Sequence, residues 1–166
     1  MIKDIKTFSV PDLCDLHENK INIGDIFLRS FGGCKNFYGQ IRTAECSHSN
    51  AIVKELVQED GTNKVLVIKH TGTDLCSMVG DQIAAMAYKN NWSGIFVDGY
   101  IRDVEIIQDI EIGVYAKNAY PKKTDKSIGI GIKDSRFKIG TVDVSSGSWI
   151  YVDTNGWLVS NEELEF

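Results

Sequence analysis

The chain has two prolines, three histidines and four cysteines in 166 residues, and each scarcity closes off a class of explanation. Cys14, Cys34, Cys46 and Cys76 are widely scattered with no C-x-x-C pair, which argues against a zinc knuckle and a dithiol redox motif. Reduced thiols in a cytosol account for them. His17, His48 and His70 lack the partner spacing of a histidine-built metal site. No apolar run is long enough to cross a bilayer, and the opening MIKDIKTFSVPDL lacks the apolar core of a secretory signal, so a cytoplasmic protein with no membrane partner is expected. Positive charge is short as well. With 18 Lys and Arg against 23 Asp and Glu, a net charge of −5 opposes direct nucleic-acid binding through a broad basic face. The one basic cluster, Lys122 and Lys123 with Lys126, reads as a solvated loop after Pro121.

What is present is the composition of an ordinary globular protein, 43% hydrophobic and 25% charged. The length suits one domain over residues 1–166, with roughly two thirds of the unfolded chain's surface buried. SVPDLCDLHEN reads as a short helix capped by Ser9, with Pro11 in its first turn and Leu13 and Leu16 on its buried face. FYGQIRTAEC alternates like a strand after Gly32 and Gly33. A second helix follows, with Asn50 at its N-cap, a stripe of Ile52, Val53, Leu56 and Val57, and Gly61 at its stop. The continuous apolar runs KVLVIK (64–69) and GIFVDG (94–99) are strands covered on both faces. Between them Ile83, Met86 and Ala87 mark a helix that leaves through Asn90 and Asn91, so a parallel crossover is expected. DVEIIQDI has room for a helical turn or two. IGVYAKN, RFKIG, TVDVSSGSWIYVD and GWLVS are strands, the last two joined by a hairpin at Asp153-Thr154-Asn155-Gly156. The fold class is α/β, with parallel strands in the first half and a β-rich C-terminal part.

Two charged couplets fall where such a unit collects ligands, outside the carboxyl ends of its strands. Gly80-Asp81 opens the crossover helix; twenty residues later Arg102-Asp103 follows the second strand through a turn at Asp98-Gly99-Tyr100. The N–H groups of Gly80, Asp81, Gln82 and Ile83 at a helix start suit a substrate carboxylate, and Gly80 permits close approach. Arg102 offers a planar fork for a carboxylate, and Asp103 offers hard oxygen ligands for magnesium or manganese, with Asp81 holding a bound water. Taken singly, Asp81 and Asp103 also read as helix caps and Arg102 as a surface ion pair.

Together the couplets, with NNWSGIFVDGYIRD ahead of the second, resemble the motif of the 4-hydroxy-4-methyl-2-oxoglutarate aldolase family, the RraA-like family that also contains the protein regulators of ribonuclease E. DLCDL, FGGCKNFYGQI, KVLVIK, IGVYAKNAYP and SGSWIYVDTNGWLVS extend the similarity over nearly the whole chain. The resemblance implies a homotrimer of α/β/β/α sandwiches and metal-dependent, class II type cleavage of 2-oxo acids to pyruvate. It makes Gly80, Asp81, Gln82 and Ile83 the substrate-binding loop, Arg102 a substrate contact and Asp103 the metal ligand; the catalytic candidates are Arg102 and, through its bound water, Asp81. Two departures stand out. KHTGTDLCSMV (69–79) keeps only Gly72 where the family has an acidic residue and a glycine run, and the chain lacks the C-terminal extension of longer members. In length it looks more like the ribonuclease regulators, which makes an RNA-processing protein partner the alternative expectation.

The chemistry implied is Lewis-acid stabilisation of a pyruvate enolate, with either the aldol substrate or oxaloacetate as its source. A Schiff base on Lys69 is the other electron sink, but Lys69 reads as a strand end with its head in solvent. His70 is a candidate for the pocket wall. Cys76 reads as a packed apolar residue, Asp98 as a turn former, and Trp92, Trp149 and Trp157 as core or subunit contacts.

Overall fold

The computed structural model describes residues 7–166, so MIKDIK, weighed above as part of a signal sequence, lies outside the described residues. Helix α1 (Val10–Leu16) starts where Ser9 Oγ accepts the Asp12 N–H at 3.2 Å. Val10 and Leu13 are its buried residues. Leu16, expected beside Leu13, is exposed, because two turns of helix reach the Tyr151–Leu158 surface only through Val10 and Leu13.

The chain then forms β1 (Ile21–Ile23), β2 (Arg29–Ser30), β3 (Phe37–Cys46), α2 (Ala51–Leu56) and β4 (Lys64–His70). The short strand β5 (Ser77–Val79), absent from the reading of the sequence, precedes α3 (Asp81–Lys89), β6 (Gly94–Ile101), α4 (Val104–Ile107) and β7 (Gly113–Ala119). Strands β8 (Ile132–Lys133), β9 (Phe137–Ile139), β10 (Val142–Val144), β11 (Trp149–Asp153) and β12 (Gly156–Ser160) complete it.

One sheet runs β1-β12-β11-β3-β4-β6-β7-β2, with β5 added to β6 and β8 to β3; β9 and β10 pair separately. Strands β3, β4, β6 and β7 are parallel neighbours, whereas β11, β12 and β1 join antiparallel. The hairpin turn falls on Thr154-Asn155, between paired Asp153 and Gly156.

Three apolar clusters define the layers. Ile52, Val53, Leu56, Ile83, Ala84, Ala87 and Ile107 of the helices pack on Leu66, Ile68, Ile95 and Val97, one face of the parallel strands. The other face, Val65, Val67 and Phe96, meets Ile150, Val152, Trp157 and Val159 of the β11–β12 half and Ile139 and Val142 of the separate hairpin. Val10 and Leu13 of α1 cover the outside of β11–β12 at Tyr151 and Leu158. That is a helix, sheet, sheet, helix order. Burial of both faces explains the unbroken apolar runs of β4 and β6.

Two local expectations need correction. Met86 is partly exposed and Ala84 is buried instead, so the inner face of α3 is Ile83, Ala84 and Ala87. Asp98-Gly99-Tyr100 is not a turn. Strand β6 runs on to Ile101 because β5 pairs with its end, and the extra length is absorbed by a register shift against β7 between Val97 and Tyr100.

Candidate active site

Strand β5 delivers the chain to Gly80, which occupies the N-cap of α3. The neighbouring parallel strand β6 delivers Arg102 and Asp103, and the Arg102 N–H donates to the Val79 carbonyl at 3.0 Å. The two couplets therefore stand side by side at the carboxyl ends of adjacent parallel strands.

Asp103 sits in the left-handed region, φ 60° and ψ 38°, a conformation that aspartate tolerates better than most residues with a β-carbon. It occupies the N-cap position of α4 without making the capping bond. Its carboxylate reaches instead to α3, where Oδ2 accepts the Asp81 N–H at 3.2 Å and lies 4.0 Å from Arg102 Nε. A β-carbon on Gly80 would stand 2.7 Å from the same oxygen, so the glycine makes room for the aspartate. Asp103 thus leaves α4 without a side-chain cap and takes a first-turn N–H of α3 instead. Arg102 Nη1 donates to the Pro121 carbonyl at 3.4 Å. The Asp81 carboxylate has no hydrogen-bonding partner among the described residues, and Gln82 and Ile83 keep free first-turn N–H groups.

Gly80, Asp81, Gln82, Ile83, Arg102 and Asp103 all line one cleft of about 170 Å³. That is room for a small metabolite, below the range of about 300–1,000 Å³ usual for drug-sized ligands. Asn50, Lys54, Ser77, Lys123, Thr124 and Lys126 complete the wall. These the sequence reading missed. The basic segment is an exposed loop, as read from the sequence, but its backbone is tethered: the Ser77 N–H donates to the Lys122 carbonyl at 2.8 Å, and the Asp125 N–H to the His48 carbonyl at 2.8 Å. Buried Thr124 donates through Oγ1 to Asn50 Oδ1 at 2.9 Å, while Asn50 Nδ2 donates to the Met78 carbonyl at 3.0 Å. Asn50, expected as the cap of α2, spends its side chain on this bridge and makes no capping bond. The only early signal was three lysines placed soon after β7, the strand beside β6.

Lys54 and Lys126 come from α2 and from this segment, and both line the cleft. The nearby Lys126 ammonium, helped by partial burial, holds the Lys54 pKa below the ordinary lysine value. Four cationic side chains and two carboxylates line the cleft, an excess of two positive charges in a chain of net charge −5.

The other candidates lie elsewhere. Lys69 is not free in solvent; it approaches Asp98 Oδ2 at 3.4 Å and donates to the Lys138 carbonyl. Buried Asp98 also pairs with Lys117 at 3.1 Å, so it is an ion-pair centre within β6 and not a turn former. His70 Nε2 lies 3.8 Å from Cys76 Sγ, and neither residue lines the cleft. Burial lowers the His70 pKa and raises that of Cys76, which leaves an inert pair. Of the departing segment 69–79, only Ser77 reaches the cleft wall.

Among the described residues no three or more His, Cys, Asp or Glu side chains converge into a metal cage. A closed zinc site is therefore absent from those residues. Asp103 with Asp81 nearby fits magnesium or manganese, which take one or two carboxylates and fill the remaining positions from water and substrate. The space left by the missing Gly80 side chain keeps the Asp103 oxygen at the cleft.

Comparison with known proteins places this cleft in context. The RraA-like family, described as Aldolase/RraA, matches residues 10–159. A Dechloromonas aromatica protein is 42% identical over 163 residues, 95% of this chain and 99% of its own length. A Pseudomonas syringae pv. tomato protein is 37% identical over 157 residues, 95% and 96% of the two chains. Both are provisionally named as 4-hydroxy-4-methyl-2-oxoglutarate aldolases. Among solved structures, the RNA-processing inhibitor RraA from Thermus thermophilis superposes with a TM-score of 0.90 at 31% identity, covering 96% of each chain.

Proposed function

The chain belongs to the RraA-like family, and from that premise and the cleft we propose that it is a divalent-metal-dependent lyase of 2-oxo acids, releasing pyruvate from 4-hydroxy-4-methyl-2-oxoglutarate, from oxaloacetate, or from both. The observation that carries this reading is Asp103, held in a left-handed conformation with its carboxylate aimed past Gly80 into a cleft beside Arg102 and Asp81.

Asp103, with Asp81 nearby, would hold magnesium or manganese, which when bound supplies Lewis acidity toward the substrate's carboxylate and 2-oxo oxygens. The N–H groups of Gln82 and Ile83, at the positive end of α3, receive the carboxylate next to the 2-oxo group. In oxaloacetate the bond from C3 to the terminal carboxylate breaks, carbon dioxide leaves, and the electron pair stays on the three-carbon fragment as an enolate. Arg102 faces that growing negative charge, and protonation at C3 yields pyruvate. With the aldol substrate the C4 hydroxyl must also lose its proton as the C3–C4 bond breaks. Asp81, whose carboxylate has no other partner, takes that proton through a water.

The test is pyruvate release from both substrates with magnesium or manganese, with chelator, and with Asp103→Ala. We expect chelator and Asp103→Ala each to bring the rate to the metal-only background. Equal activity of wild type and variant above that background would sink the mechanism.

The same proposal places the protein in the cytoplasm as a homotrimer, a state supported by the exposure of Phe27, Ile130, Ile132 and Ile23, which an assembly would cover. A mass measurement giving a monomer would remove it. A second reading, a modulator of an RNA-processing enzyme such as ribonuclease E, is favoured by the likeness to the Thermus inhibitor. RNA cleavage by that enzyme, unaltered at saturating protein, would eliminate it.

A further inference from the structure

Among the described residues several lysines pair with acids and several, such as Lys35, Lys64 and Lys89, do not; Lys54, Lys123 and Lys126 are set apart because they are unpaired and gathered on the wall of one cleft. Lys20 pairs with Glu162, Lys69 and Lys117 with Asp98, and Lys133 with Glu55. Lys54, Lys123 and Lys126 have no carboxylate partner among the described residues. Two carboxylates are close in sequence, and both are engaged. Glu55, next to Lys54, lies 3.4 Å from Lys133, and Asp125, next to Lys126, accepts from the Ser127 N–H at 3.0 Å and the Ser127 hydroxyl at 2.6 Å.

Nor does the backbone let the cations drift apart easily. Thr124 is bonded to Asn50, one residue before α2 begins, and Asp125 is tied to His48, so the segment bearing Lys123 and Lys126 is fixed against the helix bearing Lys54. Two ammonium groups near each other disfavour each other, and a negative group between them gains from both. A bound 2-oxo monoacid places its one carboxylate at the start of α3 and leaves this pair uncompensated. A diacid does not.

We propose that Lys54 and Lys126, with Lys123 at the rim, hold the second carboxylate of a dicarboxylic 2-oxo acid whose first carboxylate lies at Gly80–Ile83 and Arg102. The inference rests on the reading of that end of the cleft as a 2-oxo acid site. It adds the residues that choose between diacids and monoacids.

The test is calorimetric titration, with magnesium present, of 2-oxoglutarate and 2-oxopentanoate. These acids have the same five-carbon chain with and without the distal carboxylate, and neither carries the 4-hydroxyl that cleavage requires. Wild type is expected to bind 2-oxoglutarate at least about tenfold more tightly, the effect of one charge-assisted hydrogen bond. Lys54→Met and Lys126→Met should each weaken 2-oxoglutarate by about tenfold, and the double variant should bind both acids within about twofold of each other. Affinity for 2-oxopentanoate should stay at the wild-type value throughout, which reports an intact fold and an intact first subsite. Lys54→Arg and Lys126→Arg should keep the preference. Equal wild-type affinity for the two acids, no binding of 2-oxoglutarate, or a preference that survives in the double variant overturns the proposal. Pyruvate release is scored separately. Diacid preference without turnover overturns only the lyase reading, and turnover without diacid preference overturns only this one.

Discussion

Replacing Gly80 by alanine separates the fold from the chemistry with a single methyl group. The backbone there, φ −120° and ψ −170°, is one that alanine adopts without strain. The new β-carbon, however, would lie 2.7 Å from Asp103 Oδ2, and ordinary contact begins near 3.4 Å, so the carboxylate must retreat by about 0.7 Å. That retreat weakens its 3.2 Å bond to the Asp81 N–H. For a carboxylate about one third exposed, the loss belongs at the low end of the roughly 1.5–3 kcal/mol of a charged hydrogen bond. An off-rotamer side chain adds about 0.5–1.5 kcal/mol, and the smaller entropy of the unfolded alanine chain returns about 0.4–1 kcal/mol. The net is a destabilisation of about 1–2 kcal/mol, a fall in Tm of roughly 2–8 °C for a domain of this size. Activity should respond far more. A catalytic group displaced by about 1 Å costs on the order of 100-fold, so metal-supported pyruvate release by Gly80→Ala should fall by about that factor, with a higher magnesium concentration for half-saturation. Thermal melts and a magnesium titration of the rate read the two effects independently. Wild-type activity and magnesium demand in a variant that melts a few degrees lower would refute the claim that Gly80 makes room for Asp103.

Two further outcomes follow, one from the cleft wall and one from an ion pair outside it. Asn50→Ala strands the Thr124 hydroxyl and the Met78 carbonyl, and should cost about 2–3 kcal/mol and about 4–12 °C in Tm, with faster hydrogen exchange over residues 121–127; a wild-type melt would show that the segment is held by other means. Asp134 has its pKa opposed by burial but held below the usual aspartate value by the Ser146 hydroxyl and the Arg42 guanidinium. A depressed folded pKa contributes stability above the unfolded value of 3.8, and that contribution is lost as pH falls through the folded pKa. Asp134→Asn should therefore flatten the loss of stability below about pH 4, and an acid unfolding curve as steep as wild type would contradict the linkage.

Why some of this was legible and some was not follows from how each signal arises. Val65–Ile68 of β4 and Ile95–Val97 of β6 are unbroken apolar runs because both faces are buried there, and the Asp153–Gly156 turn has the aspartate first and glycine last that turns favour. The spacing of the couplets is legible too, since a helix and a strand must separate neighbouring parallel strand ends. The direction of Asp103 is not. An aspartate that caps the helix it precedes and one turned back toward α3 are written with the same letter, and only the left-handed backbone and the absent β-carbon of Gly80 distinguish them. Strand β5 was missed for a related reason: three residues carry too little periodicity, and their pairing with Tyr100 and Ile101 is what extends β6 through Asp98-Gly99.

The lysines mark where reading along the chain fails in principle. Lys54 lies on a helix whose buried face is Ile52, Val53 and Leu56, and Lys126 lies after a proline; each taken alone is a solvated charge. Seventy-two positions separate them, and no periodicity spans that distance. They meet because the carboxyl edge of a parallel sheet gathers the segments that leave its strands, β3 leading into α2 and β7 leading into the basic segment, and because the buried Asn50–Thr124 bond closes one segment onto the other. Cations drawn from distant segments onto one cleft wall, with no acid beside them, are therefore the residues whose partner should be sought in the ligand. By that argument Lys54 and Lys126 say more about the substrate than the couplets do, since Arg102 and Asp103 fit many 2-oxo acids and a paired ammonium site fits only those with a second negative end.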